Sequence, residues 1–297
     1  MRSRWMQGSA NSMPVARAND VDFFFEEWGN GPSLVLLHGF TGSSESWSDV
    51  GGELARDRRV IAIDLIGHGR SSAPLDVSHY AFVRAVNDLA AIADQLSLGR
   101  ATWLGYSMGG RLALGLALHH PGRVSSLILE SASPGIQDEA DRLRRIEADE
   151  TLAQSIEDGG VEVFVGEWER LPMWESQHSL PQEVLAHQRA LRLRNSAVGL
   201  ANSLRGMGQG SQPSYWDRLG EIDVPVFLIA GSLDRKFAGI AGQMGFRIQE
   251  ASLSVVPQAG HAVHLEQPEQ FAASIRDFLA GGDRVDTSER QEKFQWT

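Results

Sequence analysis

The sequence contains no cysteine. That absence excludes disulfides, thiolate metal sites and a cysteine nucleophile, and it gives no sign of an oxidising compartment. Lysine is nearly missing too: Lys236 and Lys293 are the only two, and arginine supplies the rest of the 27 basic residues. Positive charge is in deficit overall, with 38 acidic residues and a formal net charge of −11. Such a balance argues against a nucleic-acid partner, whose binding rests on clustered positive charge. No apolar run reaches the roughly 18 residues of a membrane span, and the first twenty residues hold no apolar stretch of signal-peptide length. A soluble, cytoplasmic protein is the expectation. What is present is ordinary globular material: 297 residues, 42% hydrophobic and 22% charged. That is enough for a single α/β unit with a substantial core.

Residues 1–20 are polar and rich in small side chains and read as a loose tail, in part sequence upstream of a start at Met13; residues 281–297 read as a second tail. Between them, short apolar runs alternate with helical stretches. The runs are Leu34–Leu37, Val60–Ile63, Ala101–Leu104, Val124–Leu129, Val226–Ala230 and Leu253–Val256. Bounded by Gly, Pro and Asp, they have the character of strands buried in a parallel sheet. Helices are expected over Tyr80–Leu96, Met108–His120 and Pro268–Ala280. Residues 21–132 and 217–280 would form this α/β core. Residues 133–216 break the alternation: they hold no convincing strand but four helical stretches, Glu139–Glu157, Val161–Arg170, Pro181–Arg194 and Ala197–Met207. An all-helical block inserted between two strands reads as a lid over a site.

The strongest local signal is Gly105-Tyr106-Ser107-Met108-Gly109. Alone the string is weak. With a strand before it and a helix after it, it reads as a nucleophile elbow, a tight turn that holds a serine hydroxyl clear of the sheet edge. A serine hydroxyl needs a histidine to take its proton and a carboxylate to orient that histidine. On such a scaffold the chain order is Ser, acid, His. His261 follows the strand Leu253–Val256 and is the expected base; His264 is its rival. Asp234 follows the strand Val226–Ala230 and is the expected acid, although a helix-capping aspartate would look the same. Asp223 precedes that strand, on the wrong side of the sheet. His261-x-x-His264 also has the look of a metal pair, but no third ligand stands out, so neither metal nor cofactor is expected. Two backbone donors should form an oxyanion hole: the N–H of Met108, next to the nucleophile, and that of Phe40, in the loop after Leu34–Leu37. The stretch Asp64–Ser71, with His68, reads as a structural turn.

Arg111 stands apart from the other arginines. The helix that follows Ser107 is apolar on every face except at Arg111, and a buried guanidinium without an anion is strongly unfavourable. It lies one helical turn past Ser107, on the same face. Either an internal carboxylate pairs with it, or it forks a substrate carboxylate. The inserted block adds Arg142, Arg144, Arg145, Arg170, Arg189, Arg192, Arg194 and Arg205. That density suits an anionic substrate, while solvated helix faces explain most of them.

Taken together, His38-Gly39-Phe40-Thr41-Gly42-Ser43, Gly105-Tyr106-Ser107-Met108-Gly109-Gly110-Arg111, Ser131-x-x-Pro134-Gly135, Leu193-Arg194-Asn195 and Gly231-x-x-Asp234-x-Lys236-Phe237 resemble the SHCHC synthases. These enzymes of menaquinone biosynthesis have an α/β-hydrolase fold and form 2-succinyl-6-hydroxy-2,4-cyclohexadiene-1-carboxylate. The resemblance spans about Val21 to Leu279. It implies a triad of Ser107, Asp234 and His261, carboxylate-binding arginines at Arg111, Arg145 (or its neighbour Arg144) and Arg194, an aromatic residue at Trp168, and Tyr106 beside the nucleophile. It implies a lyase that removes a ring proton and expels pyruvate, with the His-activated serine as base. A carboxylesterase or C–C bond hydrolase on the same scaffold is the rival, and a ligand receptor with little turnover is the second. The hydrolase has no general need for Arg111, and turnover would separate the receptor, which an intact triad does not exclude.

Overall fold

The computed structural model describes residues 14–282. Eight strands form one sheet: β1 (Val15–Ala18), β2 (Val21–Trp28), β3 (Ser33–Leu37), β4 (Arg59–Ile63), β5 (Ala101–Tyr106), β6 (Val124–Glu130), β7 (Val226–Gly231) and β8 (Ala251–Val256). Their spatial order is β1-β2-β4-β3-β5-β6-β7-β8. The pairs β1–β2 and β2–β4 are antiparallel and the others parallel.

Buried on both faces, the central strands are apolar over most of their length, and the alternation of side chains divides them between two cores. Val35, Leu37, Ile61, Ile63, Trp103 and Leu127 pack on one face. Covering them are α2 (Phe82–Gln95), α3 (Met108–His119) and α7 (Arg235–Gly245). Leu34, Leu36, Val60, Ala62, Leu104 and Ile128 pack on the other, under α1 (Ser48–Leu54), the short α8 (Val263–Glu266) and α9 (Pro268–Gly282).

Two differences from the sequence reading lie at the N-terminal edge. Val15–Ala18, placed in the tail by composition, is a strand that pairs with β2 from Val15↔Phe24 to Ala18↔Val21. β2 itself is not among the expected runs. Its Phe23-Phe24-Phe25 core is flanked by acidic residues, as suits a strand near an edge rather than one in the centre. The rest of the expected N-terminal tail, and the C-terminal one beyond α9, lie outside the described residues.

The block between β6 and β7 is helical, with α4 (Glu139–Trp168), α5 (Gln182–Leu193) and α6 (Ala197–Met207). Gly160 breaks α4 with φ 78° and ψ 170°, which accounts for the two separate periodic stretches in the sequence. A small core of its own holds the block together, formed by Ala153, Ile156, Phe164, Val165, Leu200 and Leu204. No helix of the described residues is long and apolar enough to cross a membrane.

Candidate active site

Ser107 sits between β5 and α3 at φ 49° and ψ −107°. A non-glycine residue rarely adopts this geometry, at a cost of about 1–3 kcal/mol. The glycines around it make the turn possible. A Cβ at Gly105 would collide with the backbone of Gly109 and Gly110, and one at Gly109 with the carbonyl of Leu37. Strand and helix therefore cross at backbone distance. The Ser107 N–H donates to the Glu130 carbonyl on β6 at 2.8 Å, which ties the turn to the sheet.

Two loops at the same strand ends bring the partners. His261 Nε2 lies 3.0 Å from Ser107 Oγ, and its Nδ1 lies 2.6 Å from Asp234 Oδ2. A proton on Nδ1 donates to Asp234 and leaves Nε2 to accept from the serine hydroxyl. Asp234 is also a helix cap: its Oδ1 accepts the Phe237 N–H of α7 at 3.2 Å. Both readings of this aspartate hold at once, one for each carboxylate oxygen. The His261 ring is enclosed by Tyr106, Trp174 and Phe237, with centroids at 5.4, 5.9 and 4.6 Å.

The rival histidine faces elsewhere. His264 Nδ1 lies 2.9 Å from both oxygens of the fully buried Glu130. The two histidines of the His-x-x-His pair thus engage different carboxylates. The sequence reading missed Glu266, whose carboxylate accepts the N–H groups of Gly260 at 2.7 Å and Ala262 at 3.3 Å. It pins the backbone on both sides of His261. Only its nearness to that loop in sequence could have drawn notice.

A cavity of about 360 Å³ opens in front of Ser107 and His261. Core and helical block both line it: Phe40, Tyr106, Met108 and Arg111 from the core, Arg145 and Trp168 from the block. Met108 opens α3, so its N–H has no partner within the helix. Phe40 packs on Phe164 and Trp168 with centroids at 6.1 and 5.5 Å, joining the expected oxyanion loop to the block. Behind Phe40 stands His68, in the turn where Asp64 accepts the N–H groups of Ser44 and Arg70 at 2.5 and 2.7 Å. Burial pushes His68 down to about 3, and the nearby His38 acts in the same direction.

Arg111 is 6% exposed. Its Nη1 donates to the Met207 carbonyl at 2.7 Å and to Gln212 Oε1 at 3.2 Å, and no carboxylate among the described residues forms an ion pair with it. Burial, then the positive charge of Arg145, push its pKa below the usual guanidinium value, while Asp149 acts the other way. An internal ion pair, the alternative left open by the sequence, is therefore not what holds this residue. Arg145 Nε bonds Asp149 Oδ1 at 2.7 Å and its Nη1 bonds Gln209 at 2.9 Å. Its neighbour Arg144 pairs with Asp141 on the exposed face of α4 and does not line the cavity.

Arg194 corrects the expectation placed on it. It caps the C-terminal end of α5, its side chain is 56% exposed, and it pairs with Glu45 at 2.7 Å away from the cavity lining. The inward-facing arginine of this helix is Arg192, two positions earlier on the helix and so on another face. It is buried, bonds Glu169 at 2.9 Å and lies over the Trp174 ring at 5.5 Å.

Known proteins share this fold and much of this sequence. The α/β-hydrolase fold family matches residues 32–268. A Bacillus subtilis protein provisionally named 2-succinyl-6-hydroxy-2,4-cyclohexadiene-1-carboxylate synthase is 47% identical over 83% of this chain and 90% of its own. The synthase of that name from Enterobacter sp. strain 638 is 32% identical over 84% of this chain and 92% of its own. The structure of MenH from S. aureus superposes with a TM-score of 0.84 at 36% identity, covering 88% of this chain and 99% of that one. The chain belongs to the α/β-hydrolase fold family and, within it, to the SHCHC synthases.

Proposed function

We propose that this chain eliminates pyruvate from 2-succinyl-5-enolpyruvyl-6-hydroxy-3-cyclohexene-1-carboxylate to give SHCHC, acting in the cytoplasm without metal or cofactor. The observation that carries the reading is Arg111: a buried cation without a carboxylate partner, on the cavity wall one helical turn past Ser107. Such a group is costly in the free protein and is offset by a substrate carboxylate. A neutral ester supplies none.

In this reading His261 takes the Ser107 proton, and the serine oxygen removes a proton from the substrate ring. The electron pair left on carbon forms a new ring double bond and breaks the C–O bond to the enolpyruvyl group. Enolpyruvate departs, takes a proton from the imidazolium and becomes pyruvate. Serine and histidine are restored, and no acyl-enzyme forms. Asp234 keeps the imidazole in the required tautomer and stabilises its charged form. The N–H groups of Phe40 and Met108 hold the oxygen on which charge develops. Tyr106 and Trp168 wall the ring, Arg111 and Arg145 bind carboxylates, and residues 133–216 serve as the lid.

The test is release of pyruvate, measured with lactate dehydrogenase and NADH, from the enolpyruvyl substrate and in parallel p-nitrophenol from a neutral ester. A kcat/KM for the enolpyruvyl substrate well above that for the ester is expected. Ester cleavage without pyruvate release would leave a serine esterase in its place.

A further inference from the structure

The cavity wall carries a third cation that neither the triad nor the arginines account for. Lys236 lines it, two residues after Asp234. Its ammonium lies 5.4 Å from the centre of the Phe237 ring, and that ring meets His261 edge-on at 4.6 Å. Lys236 is therefore linked through one aromatic ring to the catalytic base. Arg111, by contrast, stands on α3 one turn past Ser107, bonded to the Met207 carbonyl and Gln212. Lys236 on α7 forms one cationic pole of the lining, and Arg111 on α3 with Arg145 on α4 the other. Its one lining carboxylate, Asp234, is already engaged by His261 and the Phe237 N–H.

The fold gives no reason for a lysine here. Position 236 is in the first turn of α7, which holds Arg235 and Lys236 and no acidic residue. Cations are disfavoured at that end by the helix dipole, by a few tenths of a kcal/mol to about 1 kcal/mol. No carboxylate among the described residues forms an ion pair with Lys236, and the Phe237 contact is a weak cation–π interaction at best. Lys236 is exposed at the edge of the cavity, where its ammonium, held by no carboxylate of the described residues, is free to meet a ligand that enters.

We propose that Lys236 binds the carboxylate of the three-carbon 2-oxo acid unit that leaves, while Arg111 and Arg145 hold the carboxylates that stay on the ring product. This assignment rests on the synthase reading. The chemistry fixes which pole takes which group. The imidazolium of His261 must deliver its proton to the departing enolpyruvate, so that fragment lies on the His261 side, next to Lys236. A carboxylate bound there also stabilises the negative charge that develops on the fragment as the C–O bond breaks.

Binding of pyruvate and of succinate to the protein, each titrated calorimetrically, separates the two poles without relying on turnover. Lys236→Ala should weaken pyruvate binding about tenfold, the loss of one exposed charge-assisted contact, and leave succinate binding within about twofold. Arg111→Ala should do the reverse. Lys236→Arg should restore pyruvate binding, and Lys236→Glu should abolish it. In turnover, Lys236→Ala should weaken product inhibition by pyruvate by the same factor. Unchanged pyruvate binding in Lys236→Ala, equal loss of both anions, or no pyruvate binding by the unaltered protein would each overturn the assignment. Pyruvate binding that depends on Lys236 in a protein that releases no pyruvate from the enolpyruvyl substrate would keep the oxo-acid site and sink the synthase reading instead.

Discussion

The helical block and the strand ends beneath it carry arginine in opposite circumstances. In the block, Arg142 pairs with Glu139, Arg144 with Asp141, Arg145 with Asp149, Arg189 and Arg192 with Glu169, Arg194 with Glu45, and Arg205 with Glu150 and Glu157. Beneath it, Arg111 is more deeply buried than most of these and has only a carbonyl and an amide oxygen for company. The histidines divide in the same way: His261 and His264 face carboxylates, whereas His68 has a carbonyl on one nitrogen and no partner on the other. A positive charge with its own internal counterion says little about ligands. One without it has to be explained by chemistry or by its being neutral. Arg111 and His68 illustrate the two outcomes.

The largest effect should come from the groups that act together. Ser107→Ala or His261→Ala should lower kcat by several powers of ten, and the double variant should lose little more, because triad members work as a unit. The hydrogen-bonded chain from Asp234 through His261 to Ser107 motivates this. Near-normal turnover in either single variant would detach the cavity from the chemistry, and the contrast between the arginines would lose its meaning.

Arg111→Ala comes next. Truncating one side of a desolvated charge pair costs on the order of 2–5 kcal/mol, and that loss should appear in kcat/KM for the enolpyruvyl substrate. It should be far smaller for a neutral p-nitrophenyl ester. Because Arg111 has no internal ion pair to lose, any fall in the thermal midpoint of the free protein should be limited to the loss of its hydrogen bonds to Met207 and Gln212. Arg111→Lys should recover part of the activity, since an ammonium keeps the charge but not the fork. Equal losses on both substrates with a lowered midpoint would mean that Arg111 is structural after all.

The uneven legibility of the sequence has the same origin. Ser107 and Asp234 could be read because each lies just past a buried parallel strand, whose apolar run is long enough to place the loop that follows, and His261 because it follows the apolar end of the edge strand β8. β1, four residues reading Val-Ala-Arg-Ala, could not: as an edge strand it needs only two inward side chains, Ala16 and Ala18, and its stability comes from pairing with β2. Arg111 was legible by contrast with its apolar helix. Arg194 and Arg192 were not, because both lie near the end of a helix rich in polar residues, where a difference of two positions decides between solvent and interior. Glu266 acts through backbone N–H groups, which leave no trace in side-chain pattern.

His68 sharpens the contrast through pH. Its folded pKa is about 3, held down by burial, against roughly 6.5 when unfolded. Between those values the unfolded chain binds a proton that the folded one does not. Stability from this group is therefore complete above the unfolded value and is lost as pH falls, at about 1.4 kcal/mol per pH unit once well below 6.5. His38, also lowered by burial, adds to the same trend. His68→Phe should flatten the dependence of the urea midpoint on pH between about 6.5 and 5, a window in which most carboxylates do not yet titrate. Parallel curves for the two proteins would show that the ring finds a partner for its charge.

The smallest effect belongs to Arg194, and it tests the comparison from the other side. Its ion pair with Glu45 ties the end of α5 to the turn at Ser44–Trp47, but Arg194 is exposed to solvent and Glu45 is partly so. Exposed pairs of this kind contribute about 0.2–1 kcal/mol, because water screens them and ordering two long side chains offsets part of the gain. Arg194→Ala should therefore change kcat/KM less than about twofold and the urea midpoint only slightly, and Glu45→Ala should do the same. The two variants matter as a pair. If Arg194 leaves Glu45 to reach the substrate when the lid closes, Arg194→Ala would lose activity on the scale of Arg111→Ala. Glu45→Ala would then gain affinity, because the competing carboxylate is gone. That result would show that an arginine with an internal counterion can serve the site by exchanging it, and the division between paired and unpaired charges would hold only for the open form of the cavity.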